Sequence, residues 1–307
     1  MSISELLASI KIQKGPTVAT VGTFDGVHLG HRALLEQVQG EAKARAAKSV
    51  ALVFKEQPRA FIKPKFNVSY ISNLKTRRNI LMEIGIDQVI ELDFGTAIQQ
   101  LSAEEFVSEL QHLIELKALI VGPNAKIGFD RLGIDKLSLS EKLSDVDFIE
   151  APAKILKGYA VSSSAIRKAI TKGSCEFAAI MLGRNYSISG VIVKGDRRGR
   201  EIGFPTANIR PDSTVTVPGN GIYATIVEID GTSHKAATSI GVRPTFETNG
   251  VRTIEAFLLD FEGDLYGKQV QIDFISRTRS EIAFESAEKL IMQMNEDVDQ
   301  VRNILTK

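Results

Sequence analysis

Two histidines three residues apart, His28 and His31, stand in the stretch GTFDGVHLGH with Gly30 between them. Half of the chain's four histidines thus fall in one four-residue window. An imidazole, neutral or protonated, donates hydrogen bonds to phosphate oxygens, and a pair suits the charge that builds when pyrophosphate leaves an α-phosphate. Chemistry of that kind is nucleotidyl transfer. Gly30 would let the backbone approach a ligand with no Cβ in the way. The other two histidines, His112 and His234, have no such setting.

A second constellation is VSSSAIRKAI, residues 161–170. Ser163 and Ser164 offer hydroxyls that cap a helix or bind phosphate, and Arg167 a guanidinium suited to phosphate oxygens. Alone the pattern also describes a plain helix start; its position at the end of the first half makes it the expected second phosphate clamp. A third is VIVKGDRRGREIGFPTANI, residues 191–209, with Gly195, Gly199 and Gly203 among Lys194, Arg197, Arg198 and Arg200. Such a loop can wrap polyphosphate, as can many hairpins. Pro205 fixes the backbone, and Thr206 and Asn208, two apart, point to one side of an extended segment. Their neutral oxygens suffice for a Mg²⁺ that keeps waters and takes its other ligands from phosphates; a strand-end turn would use the same pair. Glu255, among apolar neighbours in TIEAFLLDF, is either a base toward an alcohol or an outward-facing strand residue.

These residues need elements to hold them. From 17 to about 170, β-branched runs (TVATVG, SVALVF, QVIEL, ALIVG) alternate with helix-period segments, among them AEEFVSELQHLI. Alternation of that kind predicts a parallel sheet with crossover helices, whose ligands gather at the carboxyl ends of the strands, where the loop after TVATV lies. Beyond 185 short strand-like runs separated by Gly, Asp, Asn and Pro predict a small antiparallel barrel or sandwich. From Ser286, read as an N-cap, the period is helical to the end. The junction between the halves is read at 183–187.

At 307 residues the chain is long enough for two domains, and Lys plus Arg, 38, balance Asp plus Glu, 37. No net field recruits nucleic acid or an anionic membrane. The one cysteine, Cys175, can form no internal disulfide and is read as a buried thiol, and no apolar run is long enough to span a bilayer. A cytoplasmic protein is expected, with self-association left open.

The first and second constellations resemble the bifunctional riboflavin kinase/FAD synthetase family of bacteria, whose amino-terminal half is an HxGH nucleotidyltransferase. The resemblance implies FMN adenylylation, in residues 1–184, with Gly22, Phe24, His28, His31, Asn124, Ser163, Ser164 and Arg167 at the ATP site. Ser164 stands where the family usually has Thr, Glu56-Gln57 where it usually has Pro-His, and Ala125-Lys126-Ile127 where it is usually rich in aromatics. GREIGFPTANI, SIGVRPTF, IEAFLLDF, LYG and RSEIAF are similar, in order and spacing, to the riboflavin kinase half of that family. By that resemblance residues 185–307 are a kinase barrel with a C-terminal helix. Thr206 and Asn208 bind Mg²⁺ with ATP, Gly195, Gly199 and Gly203 serve the nucleotide, Glu255 is the base toward the ribityl 5′-hydroxyl, and Arg279 lies over the flavin. The substrates implied are riboflavin, FMN and ATP. Two alternatives stand beside this reading: a riboflavin kinase whose amino-terminal domain only binds, and a non-catalytic flavin or nucleotide sensor, with the basic loop 194–200 available to RNA.

Overall fold

The structure, a computed structural model, describes residues 15–58, 69–195, 199, 202–242 and 252–306. Arg197, Arg198 and Arg200 of the basic loop, and the end of SIGVRPTF, lie outside the described residues. The chain divides into two compact units, one of Met1–Val68 with Leu74–Ser162, the other of Ser69–Asn73 with Ser163–Lys307.

The first unit holds five parallel strands, β1 (Thr17–Gly22), β2 (Lys48–Phe54), β3 (Gln88–Leu92), β4 (Leu116–Val121) and β5 (Asp147–Glu150), in the order β3-β2-β1-β4-β5. Its main helices are α1 (Leu29–Ala44), α2 (Leu74–Glu83) and α3 (Ala103–Ile114). The central strands are apolar almost throughout because both faces are covered. Ala19, Val50, Leu52 and Leu119 pack with Phe106, Val107 and Leu110 of α3. Their neighbours Val18, Ala51, Val53 and Ala118 turn the other way, onto Leu34, Leu35 and Val38 of α1 and Ile80 and Leu81 of α2. Strand order reverses between β1 and β4, so a crevice opens at their carboxyl ends, where the residues after Gly22 and those after Val121 emerge. A short hairpin, β6 (Ile155–Leu156) and β7 (Tyr159–Ala160), follows β5.

The second unit opens with α4 (Ser163–Thr171) and α5 (Cys175–Leu182). Strands β8 (Tyr186–Val193), β9 (Ala207–Pro211), β10 (Gly221–Ile229), β11 (Thr232–Val242), β12 (Arg252–Leu258) and β13 (Gln269–Arg279) close an antiparallel barrel in the order β10-β11-β12-β9-β8-β13. Closure leaves no strand edge. Five strands coincide with the expected runs; the sixth, β9, begins at Ala207 inside the PTAN segment and runs on to Pro211. Helix α6 (Ala287–Leu305) starts as expected at Ser286, whose side chain accepts from the Lys289 N–H. It seats Val301 against Ala224 and Leu259 on the outside of the barrel. Cys175 is fully buried, and burial, with Glu176 adding to it, pushes its thiol pKa up to about 12.

Candidate active sites

Between Gly22 and α1 the backbone takes conformations that side chains ordinarily avoid. Phe24 (φ 49°) and Val27 (φ 37°) are left-handed although neither is glycine, and both are buried. Strain of this kind collects at functional loops and persists only when its surroundings enforce it. Part of the enforcement comes from Arg77 on α2, which is 2% exposed. Its guanidinium donates to the carbonyls of Thr23 (2.7 Å), Phe54 (3.1 Å) and Lys55 (2.8 Å), tying the loop after β1 to the end of β2. Sequence reasoning missed Arg77, since on an amphipathic helix an arginine reads as a solvated residue. Glu56 and Gln57 begin where this clamp ends.

His28 is the N-cap of α1: its Nδ1 accepts from the His31 N–H at 3.2 Å. An accepting Nδ1 places the proton of a neutral ring on Nε2. The two imidazoles stack, centroids 3.6 Å apart and planes 13° from parallel, and the edge of Phe24 meets His31 at 5.2 Å. Burial, reinforced by the neighbouring His28, holds the His31 imidazole well below its ordinary pKa of 6.5, so it is neutral near pH 7. Its Nδ1 is buried with no hydrogen-bond partner. A buried nitrogen in that state is one that an incoming oxygen would satisfy.

Gly30 makes room for a neighbouring side chain. A Cβ there would lie 3.1 Å from Cε1 and Nδ1 of His28, so it is this ring that occupies the space above the glycine. Gly22 meets only ordinary contact, with the Phe24 ring at 3.4 Å. Asn124, exposed and left-handed at φ 56°, turns the chain after β4 at the same end of the sheet. Ser163, Ser164 and Arg167 lie on α4 in the other compact unit, where the guanidinium of Arg167 reaches the Ser164 hydroxyl at 3.5 Å.

In the barrel, β12 pairs with β9 so that Glu255 sits directly opposite Asn208, and Thr206 Oγ1 lies 3.4 Å from Glu255 Oε2. Along β12 the buried residues are Ile254, Ala256 and Leu258. Glu255 and Phe257 therefore face outward, but into a cavity of about 390 Å³ and not into open solvent. Glu255 thus faces out of the barrel and lines a pocket. Phe204, Ile222, Phe284, Leu290 and Met294 supply apolar walls, α6 carrying the last two; Thr206, Glu255, Arg279 and Asp297 are polar. The Arg279 guanidinium forks onto Asp297 at 2.7 and 2.6 Å.

The glycines of the loop pack against this site. A Cβ on Gly195 would fall 2.3 Å from the Asn208 amide nitrogen and 2.7 Å from its oxygen, and one on Gly199 would strike the Phe204 carbonyl at 2.3 Å. Gly203 supplies φ 88°. Among the described residues no three His, Cys, Asp or Glu side chains gather as a metal site. A hydroxyl, an amide oxygen and a carboxylate side by side nonetheless suit a hard divalent ion that arrives with polyphosphate, and Gly195 leaves room for the amide alone.

Comparison with known proteins agrees over both units. The FAD synthetase family model matches residues 10–165 and the riboflavin kinase model residues 182–305. The chain is similar to proteins named bifunctional riboflavin kinase/FMN adenylyltransferase: 35% identical to that of Escherichia coli strain K12, covering 91% of this chain and 90% of the relative. Identity is 33% with that of Pseudomonas fluorescens (98% and 97% covered) and 31% with that of Listeria monocytogenes (94% and 93%). A crystal structure described as a macrolide-efflux protein from Streptococcus pneumoniae shares the fold, with a TM-score of 0.88, 29% identity, and 95% of this chain and 96% of that one covered. No described helix of the present chain is long and apolar enough to cross a membrane.

Proposed function

The chain belongs to the family of bifunctional riboflavin kinase/FMN adenylyltransferases, and on that premise we propose how its residues divide the two reactions. The protein phosphorylates riboflavin to FMN with ATP, and adenylylates FMN to FAD with release of pyrophosphate. Adenylylation belongs to residues 1–184 and phosphorylation to 185–307. A reducing, cytoplasmic setting suits the one buried cysteine.

In the kinase half the ribityl 5′-oxygen bonds to the γ-phosphorus of ATP as the bond to ADP breaks, and Glu255 takes the hydroxyl proton. Thr206 and Asn208 would hold Mg²⁺ with the ATP phosphates, where the ion neutralises charge on the transferring group. Gly195, Gly199 and Gly203 shape the loop around the nucleotide, and Arg279 with the apolar walls takes the flavin ring. In the other half a phosphate oxygen of FMN attacks the α-phosphorus of ATP and pyrophosphate departs. His28, through Nε2–H, and neutral His31 donate to the oxygens that gain charge. Phe24 holds His31 in place, and Gly22 and Asn124 contact the nucleotide.

The observation that carries this reading is the register of Glu255 against Asn208, with Thr206 at 3.4 Å, on the wall of an apolar cavity. Glu255→Gln keeps the side chain's shape and removes the base, so riboflavin phosphorylation should lose about 10²-fold in kcat with little change in riboflavin binding. Asn208→Ala should abolish phosphorylation at ordinary Mg²⁺. Both variants should still adenylylate supplied FMN. Phosphorylation at the parental rate in either would refute the role given to that residue.

A further inference from the structure

The ion pair inside the kinase cavity is built more tightly than charge balance requires. Asp297 on α6 is 5% exposed, and both of its oxygens are engaged by Nε and Nη2 of Arg279 at 2.7 and 2.6 Å. Gln293 adds a third bond to Oδ1 at 3.3 Å, and Arg279 Nη1 donates to the Ser280 carbonyl at 2.9 Å. A planar guanidinium held at Nε, Nη1 and Nη2 can rotate about none of its bonds. Of its five N–H groups, one on each terminal nitrogen has no partner among the described residues, in a side chain that lines the cavity.

We infer that Asp297 is a positioning residue of the riboflavin kinase site: it locks the plane of Arg279 so that two N–H donors present themselves to carbonyl acceptors on an uncharged ring. Asp297 itself turns its lone pairs to Arg279 and Gln293 and need not touch the substrate. It also offsets the guanidinium charge. Besides Arg279 the charged residues on the wall, among the described residues, are Glu255, Glu281 and Asp297, a balance that suits a neutral flavin. Sequence pattern alone reads Asp297 as one more charge on an amphipathic helix; its burial between Met294 and Val298 on the cavity side distinguishes it from Asp299, which is exposed.

The inference rests on the assignment of this cavity to riboflavin, and the test separates the two. Steady-state phosphorylation would be measured on the intact protein at saturating ATP for the parent, Asp297→Asn, Arg279→Gln, the double variant, and the exchange Asp297→Arg with Arg279→Asp, each with its thermal midpoint. Asp297→Asn should raise the riboflavin KM about 10- to 100-fold, the worth of one charge-assisted hydrogen bond, with kcat within about threefold. The double variant should be no worse than Arg279→Gln alone. The exchange should recover thermal stability but not the KM. An unchanged KM in Asp297→Asn, multiplying losses in the double variant, or a KM restored by the exchange would each overturn the positioning role while leaving the cavity's assignment intact. An unchanged KM in Arg279→Gln would overturn both.

Discussion

Gly30→Ala separates a functional role for the His28 ring from a purely structural one. The added Cβ would stand 3.1 Å from Cε1 and Nδ1 of His28, whereas unstrained contacts begin near 3.5 Å, so the ring must retreat by roughly 0.4 Å. His31, stacked at 3.6 Å, would be displaced with it. Misplacement by 1 Å costs about 10²-fold in rate, so a retreat of this size should slow adenylylation roughly 5- to 10-fold. The same retreat stretches the 3.2 Å cap bond from the His31 N–H, which forfeits up to about 1 kcal/mol. Alanine in place of glycine returns about 1 kcal/mol in helix propensity. Stability in urea should therefore stay within about 1 kcal/mol of the parent, while kcat for FMN adenylylation at saturating ATP falls and riboflavin phosphorylation is untouched. Parental adenylylation together with a full 1 kcal/mol gain in stability would show that the glycine does not set the ring.

Three further outcomes follow from buried groups. Arg77→Met removes three hydrogen bonds from a buried cation and relieves the cost of burying it, which leaves a net destabilisation of about 3 kcal/mol in the α/β unit and weakened adenylylation. An unchanged urea midpoint would contradict the clamp. Cys175, buried and with its thiol raised to about 12, should resist a disulfide-exchange reagent in the native protein and react once unfolded; rapid native labelling would contradict its environment. Because folding depresses the His31 pKa, its contribution is favourable above 6.5, where the ring is neutral in both states. It is lost as pH falls from 6.5 through the lower folded value, since the unfolded chain binds the proton first. His31→Asn should flatten that part of the stability profile between pH 7.5 and 5.5, and an unaltered slope would count against it.

The parallel sheet and its helices were legible because strands buried on both faces read as continuous apolar runs and AEEFVSELQHLI has a clean helical period. Residue type and spacing singled out His28 and His31, and the structure stacks their rings at the start of α1. Strand β9 was not legible, because the five residues ANIRP alternate poorly, carry polar Asn208 and Arg210 and end on a proline, and the strand is defined by pairing with β12 and β8. Nor was Arg77, whose carbonyl partners at Thr23, Phe54 and Lys55 lie up to 54 residues away along the chain. Asp297 stayed hidden for a related reason: only the closure of the barrel and the seating of α6 bring Arg279 to it. Local pattern could not show that the ring of His28 lies against Gly30.

The central claim is that one chain carries two successive chemistries at separate sites, and a single time course tests it. The purified protein would be incubated with riboflavin, ATP and Mg²⁺, and riboflavin, FMN and FAD separated at intervals, alongside His28→Ala and His31→Ala variants. FMN should appear first and FAD after it in the parent; each variant should accumulate FMN at the parental rate and make at least about 10²-fold less FAD. Equal loss of FMN and FAD in the histidine variants, or FAD formation undiminished by either, would contradict the division between the two sites.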